Sequence, residues 1–294
     1  SSAASDVYKR QLMGDEKKLS KKKNIVLCIV SLVILCVLLF PIYWIVVTSL
    51  KTEQEIFQIP PTFWPKVLNL KSYMAQVESG DFNMFRSFAN SFLISVGATL
   101  IAVVLAVPAS YGIAKYHFKG KRVMLLGFLV SQMLPVAVLL TPMFILFRNM
   151  HLYNTPWAAM LADATIGIPF SVLILKNYFA SIPSELEEAA RIDGCNRFAA
   201  FLRVLIPIAK PGVMVCAIFS FLYAWGDLAY GMTFIIDQEK RPITAGIFNF
   251  MGQYGTKWSY LTAFAVVTII PVALIFIFMQ KYIISGMTLS LIHI

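Results

Sequence analysis

Six apolar runs, each long enough to cross a bilayer, leave little of this chain free to build anything else. They fall at about residues 24–47, 88–114, 123–147, 156–175, 212–236 and 261–284. A hydrocarbon core about 30 Å thick takes about 20 predominantly apolar helical residues to cross. Lipid offers backbone N–H and C=O groups no water, so each run must satisfy its own hydrogen bonds as a helix. The expectation is an all-α polytopic membrane protein with about six transmembrane helices. A mean hydropathy of +0.73 with only 14% charged residues excludes an ordinary soluble domain.

The net charge of +10 invites a nucleic-acid reading, but its placement argues against one. With the amino terminus inside, 17 of the 25 Lys and Arg residues fall on inner segments, among them Lys17–Lys23, Lys115–Arg122 and Arg191–Lys210. That asymmetry follows the positive-inside rule and puts both termini in the cytoplasm of a multi-pass protein of the cell membrane. The run Lys17–Lys23 precedes an apolar stretch too long for a signal peptide and followed by no small-residue cleavage site, so the first helix is a retained anchor.

The longest inner loop, 177–211, carries the most specific signal. Pro183 stops helix, Ser184 and Glu187 have capping-box spacing, and Glu185, Glu187 and Glu188 crowd the positive end of the helix macrodipole. Gly194 supplies a left-handed exit. The result is a short helix with a small surface at Ala189 and Ala190 that a partner can approach closely. It is too short to hold alone and needs something to pack on.

The order Glu188-Ala189-Ala190, three residues, Gly194, nine residues, then Val204-Leu-Ile-Pro207 resembles the EAA loop of ABC importer permeases. Ala-Ala-x-Ile-Asp193-Gly194 is similar to the carbohydrate-uptake branch, the maltose-type (MalG-like) permeases. Val204 and Ile206 depart conservatively from the family's usual Ile-x-Leu-Pro. Gln132–Pro135, Leu140–Pro142, Asn154-Thr155 and Ile182–Glu188 carry the resemblance over roughly residues 25–288. It implies an ABC type I importer permease fold and transport of a sugar or oligosaccharide, or of another solute such as glycerol phosphate. The loop would be the coupling helix, docking into a separate ATPase through Glu187, Glu188, Ala189, Ala190, Asp193, Gly194 and Pro207. The implied partners are a second, MalF-like permease, two copies of an ATP-binding subunit and an extracytoplasmic solute-binding protein, besides the lipid bilayer. ATP would be used by those subunits, with no cofactor bound here and no nucleic acid.

Within the spans, Asp163 and Asp227 are the only carboxylates, and a charge at mid-bilayer costs several kcal/mol unless it pairs or meets water. Asp163 sits a turn or two from the outer surface. Asp227, with Tyr223 and Trp225, lies near the middle of the fifth run, where aromatic faces beside an acid suit sugar recognition. These three are candidates for the translocation pathway, with the contact to a second permease as the competing role. Gly226 stands where the family usually has Asn, which counts against direct substrate contact. Small residues in the second run (Gly97, Ala98, Ala102, Ala106, Pro108, Ala109, Gly112) predict close helix packing. Prolines at 41, 108, 135, 142, 169 and 271 predict interrupted helices.

No Walker A loop occurs, the four cysteines and three histidines match no metal spacing, and no catalytic cluster is presented to water, so the chain is not an enzyme. A secondary transporter would show internal repeats and paired intramembrane ions, and a channel would show a filter sequence; neither is evident. The expected organisation is a tail over 1–23, an anchor helix over 24–47, an extracytoplasmic loop over 48–87, a five-helix permease core over 88–284, and a tail over 285–294. Residues 1–11 and 289–294 are read as appended scars and set aside.

Overall fold

A computed structural model describes residues 21–78, 83–252 and 255–291 of the chain. Residues 1–11 and 292–294 of the segments set aside lie outside the described residues, as does most of the amino-terminal basic tail. Among those described, five helices are long and apolar enough to cross a membrane, and a bent pair brings the number to six if it counts as one span.

The first helix, α1 (Lys21–Ser49), presents every side chain from Ile25 to Tyr43 outward, leaving most of that stretch to lipid or to another subunit, while Val47, Thr48 and Ser49 at its end are buried. Short helices α2 (Glu53–Ile56) and α3 (Lys71–Glu78) follow in an ordered segment tied together by Glu55. The Glu55 carboxylate accepts from the Thr62 hydroxyl at 2.8 Å and from the Lys66 backbone N–H at 2.9 Å.

The core is the pair α4 (Met84–Lys115) and α7 (Pro156–Ser181), with α10 (Ile206–Gly226) packed on both. Burial gives helices no apolar drive in lipid, so close packing of small side chains must hold them. Ala98, Ala102 and Ala106 on α4 and Ala158, Ala159 and Ala162 on α7 are all at most 2% exposed. A Cβ on Gly97 would stand 2.5 Å from the Met160 sulfur, and one on Gly167 would stand 3.0 Å from Ser220 Oγ and 3.1 Å from Ala102. The expected small-residue surface is thus half right. Pro108 and Ala109 face outward and nothing approaches Gly112, because the helical period carries them off the packed face.

The third run, 123–147, is not one straight helix. It divides into α5 (Lys121–Met133) and α6 (Val136–Asn149), bent by 103°. The residue before a proline is driven out of the helical region, and Leu134, at φ −73 and ψ 125, is extended. Gln132 pins the corner to α7 by donating from Nε2 to the Ile166 carbonyl at 3.0 Å, close to Pro169.

The fifth run, 212–236, is likewise broken. Helix α10 stops at Gly226, ten residues before the expected end, and a separate short helix α11 (Ala229–Phe234) lies against α6 and α7. A turn of helix, α12 (Ile243–Gly246), and a two-residue hairpin, β1 (Met251–Gly252) with β2 (Gly255–Thr256), lead to the last helix, α13 (Trp258–Leu291), which packs on α1 and α10. Asn154, in the left-handed region at φ 60, joins the end opposite the 177–211 loop. Its Oδ1 accepts from the backbone N–H groups of Ile236 and Asp237, each at 3.0 Å.

Candidate functional site

The loop after α7 folds as expected in outline and differently in detail. Its helix, α8 (Ser184–Ile192), starts immediately after Pro183 and ends at Asp193. The capping box does not form: Ser184 is already helical, Pro183 takes the cap position, and no side chain caps the start. With Glu187 therefore not reaching back, its Oε1 accepts from the Tyr111 hydroxyl on α4 at 2.9 Å.

The exit is a Schellman motif. Gly194 donates to the Arg191 carbonyl at 3.1 Å and Cys195 to the Ala190 carbonyl at 3.0 Å, which requires the left-handed φ of +89 found at Gly194. Asn196 then caps the next turn, its Oδ1 accepting from the Ala199 N–H at 2.7 Å, and opens α9 (Arg197–Ala200). One π-turn, Phe201–Leu205, joins α9 to α10. Nothing in the periodicity of the sequence marks that extra residue per turn. It lets Phe201 and Leu205 both bury against Tyr111, Leu175 and Phe179.

The loop leaves several large apolar side chains exposed. Ile192 is 86% and Phe198 69% exposed, with Leu186 and Leu202 beside them in the sequence and also exposed. Glu188, Ala189, Asp193, Gly194 and Pro207 are exposed too. Ala190 is not: it packs inward, so the expected Ala189–Ala190 surface reduces to Ala189 alone, since adjacent helical residues point about 100° apart.

Asp227 is not in mid-span. It sits at φ −65 and ψ 133, where α10 has ended, and its carboxylate caps α11, Oδ2 accepting from Gly231 N–H at 2.9 Å and Oδ1 from Tyr230 N–H at 3.3 Å. The hydroxyl of Thr244 donates to its carbonyl. Trp225 is 1% exposed, stacks on Phe221 at 5.8 Å and donates its indole N–H to the Thr268 carbonyl at 3.1 Å. It faces the protein's own interior. Tyr223 is half-buried, stacked on Phe219. Asp163 is 2% exposed, and neither carboxylate oxygen has a hydrogen-bond partner among the described residues.

At the opposite end, Lys240 and Asn154 donate to Asp237 at 2.7 and 2.8 Å, and these bonds hold its carboxyl below the usual carboxylate range. No cluster of three or more potential metal ligands exists among the described residues.

Comparison with known proteins bears directly on this arrangement. Residues 98–289 match the family described as binding-protein-dependent transport system inner membrane component. The chain is 33% identical to the sulfoquinovosyl glycerol transport system permease protein SmoH of Agrobacterium fabrum, over 85% of this chain and 87% of that protein. It is 29% identical to the diacetylchitobiose uptake system permease protein DasC of Streptomyces coelicolor, over 88% and 94% of the two. Among solved structures, a chain of a bacterial ABC transporter involved in the import of the acidic polysaccharide alginate superposes with a TM-score of 0.76 at 22% identity, covering 88% of this chain and 95% of that one.

Proposed function

We infer the function from one premise: this chain belongs to the binding-protein-dependent transport system inner membrane component family. It is a multi-pass membrane protein and the permease component of an ABC importer for sugars or oligosaccharides, not an enzyme. The relatives' names point to glycosides and short oligosaccharides as the substrate class.

Helix α8 is the coupling helix, and the cytoplasmic side is the side on which it lies, with both termini there. The observation that carries this is the exposure of Ile192 and Phe198, and to a lesser degree Leu186, on this loop. These are exposed apolar side chains in a loop whose basic and acidic residues balance, with Glu188, Arg191 and Asp193 exposed near them in the sequence, a mixed apolar and polar composition that suits a docking surface. Its partner is an ATP-binding subunit, present twice, and the other half of the pore is a second, MalF-like permease. An extracytoplasmic solute-binding protein delivers substrate from the opposite end. ATP binding closes the ATPase pair, α8 moves with it, and the permease pair turns from inward- to outward-facing. Nucleotide binding energy thereby shifts a two-state equilibrium in the membrane.

Asp227 and Tyr223 stay candidates for the pathway. Trp225, turned inward, supports it only as packing behind them. Inside-out membrane vesicles containing the chain and its companion subunits test the function. Loaded inside with binding protein and a labelled oligosaccharide, they should export label to the outer bath only when ATP is added there. ATP-independent export would overturn it.

A further inference from the structure

We propose that the inner end of α4 is a latch that makes α8 move as one body with a span to which it is not joined in sequence. The proposal rests on α8 being the coupling helix.

Covalently, α8 hangs between α7 and, through α9 and the π-turn, α10. A helix of nine residues is marginal by itself, so ties at its ends alone would let it tilt under load without moving the core. One hydrogen bond from α4 reaches α8 itself, and a second holds the end of α7 just before it. Tyr111 donates to Glu187 Oε1 at 2.9 Å, and Lys115 donates from Nζ to the Ile182 carbonyl at 2.6 Å. Tyr111 and Lys115 are four residues apart, hence on one face of α4; Tyr111 grips the first turn of α8, and Lys115 grips Ile182, which closes α7 two positions before α8 begins.

The Tyr111 ring is itself wedged. Its centroid lies 4.7 Å from that of Phe201, in the π-turn, and 5.9 Å from that of Phe179, on α7. One side chain thus touches α7, α8 and the entrance to α10. The adjacent carboxylates divide the work: Glu188 points outward, and Glu187 turns inward to the phenol. A bond from a hydroxyl to a carboxylate is among the stronger hydrogen bonds, and half-burial shields it from water. Tyr111 and Glu187 are positioning residues. They touch neither nucleotide nor substrate, and they deliver the displacement of α8 to the helix pair at the centre of the fold.

Spin labels at Phe118→Cys, just past the end of α4, and at Ile192→Cys, in a background with the four native cysteines replaced, read the distance across the latch. The full transporter is measured nucleotide-free and trapped with ADP and vanadate. The expected result is one narrow distance distribution, unchanged by trapping. Tyr111→Phe keeps the ring and its packing but loses the bond, and should broaden the distribution roughly twofold in both states. Glu187→Leu should do the same, Glu187→Gln, which keeps an accepting oxygen, should not, and Tyr111→Phe added to Glu187→Leu should change nothing more. A Tyr111→Phe distribution indistinguishable from the parent's, or effects that add in the double variant, would overturn the latch. If the parent fails to co-purify with an ATPase, the functional reading fails instead, and the nucleotide-free comparison on the full chain still decides whether the latch holds.

Discussion

Gly194 is where a single methyl group tests the coupling helix without touching anything. Its φ of +89 lies in the left-handed region, and a Cβ built there meets no atom within 4 Å. The cost of a substitution is therefore conformational and not steric contact. An L-residue forced left-handed loses about 1–2 kcal/mol, Asn less because its side chain tolerates that region, and a β-branched residue more. If the strain is relieved by releasing the exit, two hydrogen bonds (Gly194 to Arg191 and Cys195 to Ala190) go with it, at about 0.5–1.5 kcal/mol net each. Gly194→Ala should thus weaken the capped state about fivefold to thirtyfold, Gly194→Val more, and Gly194→Asn least, at about tenfold per 1.4 kcal/mol. The assay is retention of the ATPase on the tagged permease over a detergent wash, beside ATP-driven transport in the same preparations, with membrane insertion checked by yield. Retention and transport should fall in the order Asn, Ala, Val. Were Asn worse than Ala, size would govern instead of φ, and the Schellman exit would not be what matters.

Further outcomes follow from the other sites. Asp227→Asn keeps an oxygen that caps α11 and should leave thermal stability close to the parent's, whereas Asp227→Ala should lose about 0.5–2 kcal/mol by removing the cap; equal losses in both would contradict the capping role. If Asp227→Asn also abolishes transport while the second permease still co-purifies, the pathway role gains; loss of that partner would favour the interface. Asp163→Asn should cost little, since no hydrogen bond or ion pair is lost among the described residues, and a large drop in stability would mean that the charge itself supports the fold. The depressed carboxyl of Asp237 makes the 235–242 loop firmest above the ordinary carboxylate range, with that support lost as pH falls through the lower folded-state value. Amide protection at Ile236 and Asp237 should therefore drop on acidification and should not in Asp237→Asn, where it is already reduced.

What the sequence made legible was whatever rests on local chemistry. Span count follows from apolar length, and the left-handed exit at Gly194 follows from the one residue type that adopts it without strain. Close packing along α4 was visible in Ala98, Ala102 and Ala106, but Pro108 and Ala109 face outward and Gly112 has no close neighbour, because composition does not fix helical phase. Pro135 announced an interruption, yet nothing local gives the size of the bend, at which Gln132 reaches the Ile166 carbonyl across the fold. Capping-box spacing at Ser184 and Glu187 gave no box, because Pro183 takes the cap position and has no N–H for Glu187 to bond; the carboxylate is taken instead by Tyr111, 76 residues earlier. Asp227 looked like a mid-span charge because residues 228–236 are apolar. They are apolar for packing α11 against Phe147 and Ala162, not for continuing a helix. The π-turn had no signature at all, since its cause lies in the side chains that Phe201 and Leu205 must reach.

The most direct test of the coupling assignment is site-specific cross-linking from the exposed tip of the loop. A photo-reactive group placed at Ile192→Cys in membranes holding the whole transporter should join this chain to the ATP-binding subunit, with a yield that changes when ATP and vanadate trap the closed state. The same group at Met150→Cys, exposed at the opposite end, should join it to that subunit in neither state. Cross-links from position 150 to the ATPase, or none from position 192 in an otherwise active transporter, would show that α8 does not dock the ATPase.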